Sequence, residues 1–117
     1  MNNLGFLPSS SGGGGHPPFE HHLTGLQEPA KSIMLELRRF VLSLGPSMIE
    51  EVRPHRVVYA KTLTFRTFLD IEPAGDHLII ETKSGGRQSP PARFIVRTQE
   101  EAEQAKKAIA EAYENIR

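Results

Sequence analysis

Apolar and polar side chains alternate along three stretches in the second half of the chain. These stretches are Phe65–Ile71, Leu78–Lys83 and Arg93–Arg97. Successive side chains of a β-strand point to opposite faces of the sheet, so each stretch predicts a strand with one apolar face. Together with a less regular stretch over His55–Lys61, the pattern predicts a mainly antiparallel sheet of four strands.

The segment Pro73–Asp76 has the composition of a hairpin turn. Proline presets φ at the start of a turn, and the glycine in this segment tolerates positive φ. A four-residue loop over 73–76 predicts that Ile71 faces Leu78 and that Leu69 faces Ile80 on the next strand. Apolar side chains then oppose one another, and a slip by one residue would expose the whole set to water.

Two further stretches have the spacing of amphipathic helices, with apolar residues three or four positions apart. The first is Pro29–Leu44 and the second is Gln99–Ile116. Thr98, with Glu101 three residues later, is a capping-box signature at the start of the second helix.

The chain after the first helix contains two local signals. Gly45 can adopt the left-handed conformation that often ends a helix, and Pro46 prevents the helix from continuing. Glu50 follows Ser47 with the spacing of a capping box, so Ser47–Val52 predicts a further short helical turn.

Length and composition divide the sequence into a tail and one domain. Residues 1–16 are rich in Gly and Ser and are predicted to be disordered, because they cannot bury enough apolar surface. Residues 17–117 are predicted to form a single α+β domain with an N-terminal helix, the four-stranded sheet and a C-terminal helix. Phe19–Gln27 is expected either to cover an edge of the core or to start a short helix. Both helices are expected to pack on one sheet face, which carries Phe65, Leu69, Ile80, Phe94 and Val96.

Composition narrows the classes of function. The chain has no Cys, which excludes a disulfide framework and a thiolate zinc site. It has neither an apolar run of about 18 residues nor a signal-peptide pattern, so we expect no membrane contact and a cytoplasmic location. The net charge is zero, but eight Lys or Arg and only four Asp or Glu lie in residues 53–97. This basic segment favours an anionic partner, unless its charges pair with the acidic helices of the same domain.

The residues Asp70, Glu81 and Lys83 share one sheet face in the predicted register. Phe68 lies opposite Glu81, and Arg66 lies opposite Lys83, so the two carboxylates are diagonal neighbours. An Asp followed by Glu-x-Lys on the next strand resembles the core of the PD-(D/E)xK nucleases. The resemblance implies that both carboxylates hold Mg²⁺ and that the lysine helps to activate water. The simpler interpretation is two cross-strand ion pairs, Arg66–Glu81 and Asp70–Lys83.

A second group of residues is a candidate nucleic-acid surface. Basic groups beside an aromatic ring can bind phosphates while a base stacks on the ring. The group consists of Arg56, Lys61, Arg66, Phe68, Arg87, Arg93 and Arg97. Alternatively, Phe68, Ile79 and Ile95 form an apolar strip that the N-terminal segment or a second subunit covers.

The histidines and tyrosines suggest structural roles. His16, His21 and His22 do not form a convincing metal site, because neighbouring histidines in a Gly-rich segment are usually solvated. Tyr59 and Tyr113 are expected in the core with hydrogen-bonded hydroxyl groups. We therefore expect no metal and no cofactor, except Mg²⁺ in the nuclease alternative.

From about Leu37 to Glu114 the chain resembles a small family of bacterial and archaeal domains of unknown function. Members are sometimes labelled predicted transport proteins, and some lie beside endonuclease-like modules. The resemblance is carried by Val58-Tyr59-Ala60-Lys61, Phe65, Leu78-Ile79-Ile80, Phe94-Ile95-Val96, Thr98-Gln99-Glu100-Glu101 and Ala112-Tyr113. It implies an accessory domain rather than a stand-alone enzyme, and it supplies no catalytic residues.

These observations favour a non-catalytic binding domain, with nucleic acid as the first candidate ligand. The alternatives are the Mg²⁺-dependent nuclease and a homodimer formed through Phe68 and Ile95. The fold itself makes one strong prediction: Phe65→Ala should cost about 3–5 kcal/mol if this ring is buried.

Overall fold

The computed structural model describes residues 17–61, 66–84 and 90–116 of the chain. The predicted tail over residues 1–16, Phe65 and Arg87 lie outside these residues. In chain order the elements are a 3-10 helix (Phe19–His22), α1 (Ala30–Leu42), β1 (Met48–Val52), β2 (Val57–Lys61), β3 (Arg66–Pro73), β4 (Leu78–Thr82), β5 (Ala92–Val96) and α2 (Gln99–Asn115).

The five strands form one antiparallel sheet in the order β1-β2-β3-β4-β5. The predicted α+β class with two helices and an antiparallel sheet is confirmed, but the predicted number of four strands is wrong. The helical turn predicted for Ser47–Val52 is strand β1, which pairs with β2 from Met48↔Lys61 to Val52↔Val57. The Glu50 carboxylate does not cap a helix there, because it binds Arg38 and Tyr59 instead.

In the hairpin between β3 and β4 the apolar side chains lie on the predicted face, but the two strands pair in a different register. Ile71 pairs with Ile80, and Pro73 pairs with Leu78. The loop therefore occupies residues 74–77, where the Ala74 amide donates to the His77 carbonyl at 2.9 Å. The loop keeps its four residues but starts one position later, which shifts the register by two and leaves the apolar set on the same face.

A β-bulge in β3 changes the position of Phe68. The pairing between β2 and β3 jumps from Tyr59↔Leu69 to Ala60↔Thr67, so Phe68 is the extra residue. Phe68 is completely buried, and its ring packs edge-on against Tyr113 of α2 with 5.4 Å between centroids. The prediction that Phe68 lies on the solvent-facing side is wrong, because a bulge interrupts the alternation of side chains.

Both helices share one core with one face of the sheet, which we call the covered face. The sheet residues in this core are Val57, Tyr59, Phe68, Leu69, Ile71, Leu78, Ile80 and Val96. By strand alternation the opposite face, which we call the open face, carries Ile49, Glu51, Arg56, Val58, Ala60, Thr67, Asp70, Glu72, Ile79, Glu81, Lys83, Arg93, Ile95 and Arg97.

The two helices begin and end at or near the residues that local sequence signals indicate. α2 begins with the predicted capping box, in which the Thr98 hydroxyl accepts from the Glu101 amide at 3.1 Å. α1 ends at Leu42, two residues before the predicted end. A Cβ atom on Gly45 would overlap the Tyr113 hydroxyl, so a close approach between the two residues requires this glycine. None of the described helices is long and apolar enough to cross a membrane.

The segment before α1 closes one side of the core. Phe19 and Leu26 are buried, and Phe19 is the first residue of the 3-10 helix Phe19–His22. The Arg38 guanidinium lies 4.1 Å from the centroid of the Phe19 ring. The segment therefore both covers the core and forms a short helix, the two roles that its sequence suggested as alternatives.

Candidate functional site on the open face of the sheet

A row of charged residues crosses the middle of the open face. Asp70 on β3 lies directly opposite Glu81 on β4, and Glu81 lies opposite Arg93 on β5. Arg56, just before β2, approaches Asp70 at 3.6 Å and Glu72 at 3.5 Å. The row thus places two carboxylates side by side, with a guanidinium group on each flank.

Asp70 is the residue of this row with the most unusual environment. Its surface is only 8 % exposed although it lies on the open face. Burial raises the pKa of the Asp70 carboxyl above its ordinary value, and the neighbouring Glu81 raises it further, whereas Arg56 and Lys83 oppose the shift. A partly buried carboxyl with a raised pKa beside a second carboxyl is a recurrent feature of functional sites.

The three residues of the nuclease hypothesis do lie together. Asp70 and Glu81 form a direct cross-strand pair rather than the predicted diagonal one. Lys83 continues the alternation of β4 beyond Glu81, and its charge acts on the Asp70 carboxyl. Across residues 17–61, 66–84 and 90–116, however, no group of three or more His, Asp or Glu side chains is arranged to hold a metal ion.

The ion pairs differ from those expected. Asp70 approaches Arg56 rather than forming the expected pair with Lys83. Arg66 pairs with Lys61 in the backbone register, so its side chain starts on the covered side, away from Glu81. The bulge at Phe68 causes this difference, because it reverses the orientation of the residues that precede it on β3.

The basic residues predicted to bind nucleic acid do not form one surface. The Lys61 ammonium caps α2, since it lies 3.2 Å from the Ile116 carbonyl and 4.3 Å from the centroid of the Tyr113 ring. Phe68 is in the core, and Arg87 lies outside the described residues. Arg56 faces acidic side chains at the end of the sheet.

Two arginines of the predicted set remain together on β5. Arg93 and Arg97 are exposed, and Ile95 between them exposes 39 % of its surface. By alternation all three project from the open face at the edge of the sheet. This short strip is the part of the predicted nucleic-acid surface that the fold keeps intact.

The other end of the open face contains an apolar groove of about 410 Å³. It is lined by Ile49, Val58, Ala60 and Thr67 of β1, β2 and β3, together with the charged residues Glu50, Glu51 and Arg53. On its rim the Arg53 guanidinium binds the Glu51 carboxylate at 2.7 Å. Sequence patterns do not predict this groove, because they indicate a helical turn over the residues of β1.

A second, smaller cavity of about 250 Å³ lies where the 3-10 helix meets the loops at the end of the sheet. His21 and His55 line it together with Glu72, Pro73 and Gly75. The neighbouring His22 is buried, and its Nε2 atom lies 2.7 Å from the Arg53 carbonyl oxygen. Because that contact engages one ring nitrogen of His22, we interpret this histidine as a structural link between the N-terminal segment and the loop after β1.

Comparison with known proteins adds no assignment. No protein-family model, curated protein or solved structure matches this chain. The resemblance to a family of accessory domains stays a prediction, and the function must be argued from the open face itself.

Proposed function

We propose that this chain is a non-catalytic interaction domain that binds a protein partner through the open face of its sheet. The observation that carries the proposal is the presence of apolar side chains on the face that neither helix covers. Ile95 is 39 % exposed at one edge, Ile79 is half-buried beside it, and the apolar groove lies toward the other edge. Apolar surface framed by polar residues is typical of protein-binding sites.

The charges of the open face favour a protein over a nucleic acid. Among the described residues, the face carries four acidic residues, Glu51, Asp70, Glu72 and Glu81, and five basic residues, Arg53, Arg56, Lys83, Arg93 and Arg97. Affinity for a phosphate backbone depends on an excess of cations, whereas interleaved charges of both signs suit a protein surface of complementary pattern.

The test uses two exposed apolar residues with nearly equal exposure. Ile95 (39 %) lies on the open face, and Leu42 (40 %) lies on α1, away from that face. Proteins captured from native extract by the wild-type chain are identified, purified and titrated against each variant. Ile95→Glu is expected to weaken binding at least tenfold, which corresponds to about 1.4 kcal/mol, and Leu42→Glu is expected to bind normally. Equal binding by both variants would contradict the proposal.

A second copy of the chain is one partner that this test must consider. The expected homodimer through Phe68 and Ile95 cannot use Phe68, which is buried within its own subunit. Sedimentation velocity of the wild-type chain and of Ile95→Glu over a range of concentrations separates self-association from binding to another protein. A dimer that Ile95→Glu dissociates would identify the partner as a second copy.

Nucleic acid remains a second candidate ligand because Arg93 and Arg97 are exposed on the same strip of β5. In that case affinity for mixed-sequence DNA or RNA falls steeply with salt. The double change Arg93→Ala and Arg97→Ala is expected to remove most of this affinity, while Arg39→Ala on α1 leaves it intact. Binding that does not depend on salt, or that survives the β5 changes, would eliminate this candidate.

The nuclease alternative is favoured by one observation, the direct pairing of Asp70 with Glu81 beside Lys83. Two carboxylates supply oxygen ligands that suit Mg²⁺. Divalent-dependent cleavage that Glu81→Ala abolishes and Glu51→Ala retains would support it. Cleavage that is unchanged in Glu81→Ala would rule out a nuclease site at Asp70, Glu81 and Lys83.

A further inference from the structure

The outer edge of β5 directs part of its backbone away from the sheet. β5 is the last strand in the sheet order, and in the described parts of the chain no strand lies beyond it. In an antiparallel sheet the amide and carbonyl groups of successive residues point alternately to the two sides of the strand. Every second residue of β5 therefore presents its backbone groups at the edge.

The hydrogen bonds of the neighbouring strands identify these residues. The Lys83 amide donates to the Phe68 carbonyl at 2.9 Å, so the backbone groups of Lys83 point toward β3. By alternation the backbone groups of Ile80 point toward β5, where its partner is Phe94. Phe94 therefore directs its own groups toward β4, and the residues on either side of it direct theirs away from the sheet.

The edge that Arg93 and Ile95 present in this way is short. The next residue of the series is Arg97, whose amide donates to the Glu101 carboxylate at 2.7 Å. That contact agrees with the outward orientation of Arg97 and occupies its donor. On the other side Pro91 has no N–H group. Regular pairing with an added strand is therefore confined to Arg93 and Ile95.

The side chains of this edge define the chemistry of a strand that could pair with it. Arg93, Ile95 and Arg97 are exposed and lie on the open face. Among the described residues, the β5 end of this face carries more basic than acidic side chains, namely Lys83, Arg93 and Arg97 against Glu81. Opposite charges on adjacent strands are stabilising and like charges are destabilising. Carboxylates therefore suit the positions opposite the two arginines, and an apolar side chain suits the position opposite Ile95.

We propose that the partner adds an extended segment to β5 as an antiparallel strand, with acidic side chains opposite Arg93 and Arg97 and an apolar one opposite Ile95. Backbone pairing with Arg93 and Ile95 supplies affinity, and the alternate side chains supply specificity. The arginines and the short edge disfavour basic strands and long uncharged ones, which limits indiscriminate association. This inference rests on the proposed function and names the kind of segment that the open face recognises.

The test uses a short acetylated and amidated peptide in which Thr alternates with Glu, Val and Glu, and a control peptide with Lys in place of Glu. Amide exchange with water is measured by NMR in the full-length chain. The acidic peptide is expected to slow exchange several-fold at Arg93 and Ile95, whereas Phe94 and Val96, whose amides point to β4, should change little. Equal slowing at all four amides, no binding of the acidic peptide, or equal binding of the Lys peptide would overturn the proposal.

A substitution in β5 tests the backbone contact itself. Ile95→Pro removes the outward amide without removing a hydrogen bond to β4, a position where an edge strand accepts proline. Ile95→Val keeps the amide and most of the apolar side chain. The proline variant is expected to bind the acidic peptide several-fold more weakly, and the valine variant is expected to bind it normally. Equal affinities of two folded variants would contradict strand addition.

A charge exchange gives the same answer if Ile95→Pro does not fold. Arg93→Glu and Arg97→Glu together are expected to reverse the preference, so that this variant binds the Lys peptide more tightly than the acidic one. A variant that still prefers the acidic peptide would eliminate the proposed contacts.

Two further outcomes separate this inference from related ones. Protection of the Arg93 and Ile95 amides that appears without peptide and grows with protein concentration would assign the edge to a second copy and overturn the peptide assignment. A captured partner that needs the Ile95 side chain but leaves both amides in fast exchange would overturn strand addition and leave the proposed function intact.

Discussion

On the covered face of the sheet, Val57, Tyr59 and Ile71 expose none of their surface, whereas Ile95 on the open face exposes 39 %. Both faces belong to the same five strands and are separated only by the alternation of side chains. The difference arises because α1 and α2 pack on one side only. The contrast shows that the core lies on one face of the sheet, while the other face keeps an exposed apolar side chain at its β5 edge.

The polar contacts of the two faces connect different parts of the chain. On the covered side the Tyr59 hydroxyl donates to Glu50 at 2.8 Å, and Arg38 donates two hydrogen bonds to the same carboxylate. On the open side Arg56 stays 3.6 Å from Asp70 and 3.5 Å from Glu72. The contacts on the covered side fasten α1 to the edge strand β1, whereas those on the open side, which include the 2.7 Å contact of Arg53 with Glu51, join residues of the sheet and its loops.

The largest predicted loss of stability comes from a substitution in the core on the covered face. Phe68→Ala should destabilise the domain by about 3–5 kcal/mol, because it removes a fully buried ring and its contact with Tyr113. Denaturant unfolding of the full-length chain measures this loss. Thr67→Ala, one residue earlier on the open face, is the matched control and should cost far less. If the two changes cost the same, the assignment of Phe68 to the core through the bulge would be wrong.

A second prediction concerns the close approach between the loop after α1 and helix α2. Gly45→Ala should destabilise the domain by about 1–3 kcal/mol, since its new Cβ atom overlaps the Tyr113 hydroxyl. Tyr113→Phe removes the hydroxyl, so the Gly45→Ala change should be cheaper in that background. Thermal unfolding of the wild-type chain, the two single variants and the double variant measures this difference. Equal costs of Gly45→Ala in both backgrounds would place the strain elsewhere.

The smallest predicted effect concerns pH and the open face. The pKa of Asp70 is raised, mainly by burial, so the stability that this residue contributes is complete below its ordinary pKa of 3.8 and is lost as the pH rises through the raised value. Asp70→Asn should therefore increase the free energy of unfolding at pH 7, with a gain that disappears below pH 3.8.

An exposed carboxyl provides a control of opposite sign. The pKa of Asp76 is lowered, first by its hydrogen bond with His77, so its contribution to stability is present above its ordinary value of 3.8 and is lost as the pH falls through the lowered one. Asp76→Asn should decrease the free energy of unfolding at pH 7. If both variants shift stability in the same direction, the environment assigned to Asp70 is wrong.

Local patterns predicted the helices and the sheet face well. α2 starts at Gln99 after its capping box, and its buried stripe contains the expected Ala102 and Ile109. These features depend on residues within a few positions of one another, which a single sequence displays directly. The hairpin face was also predictable, because a shift of two residues does not change which side chains point to the core.

Features that depend on distant contacts were not predictable. Strand β1 looked like a helical turn because Glu50 follows Ser47, and its actual partners Arg38 and Tyr59 lie elsewhere in the chain. The bulge at Phe68 leaves no mark in the alternation of the sequence. It moved an aromatic ring from the predicted binding surface into the core and separated the predicted basic residues.

The candidate site was predictable in part. The closeness of Asp70 and Glu81 followed from the hairpin, although their direct pairing required the actual register. The apolar groove could not be foreseen, because it needs strand β1 beside β2. The apolar residues Ile49, Val58 and Ala60 indicate a groove only when the pairing of β1 with β2 is known.

The most direct test of the open face compares adjacent residues of β4. A water-borne paramagnetic agent is added to the full-length chain, and the relaxation of methyl groups is measured. The methyl groups of Ile79 and Ile95 are expected to relax faster in its presence, whereas those of Ile80 and Ile71, which are fully buried on the covered face, are expected to change little. Equal protection of Ile79 and Ile80 would mean that both faces are covered, and it would contradict the central claim that one face of this sheet is open for recognition.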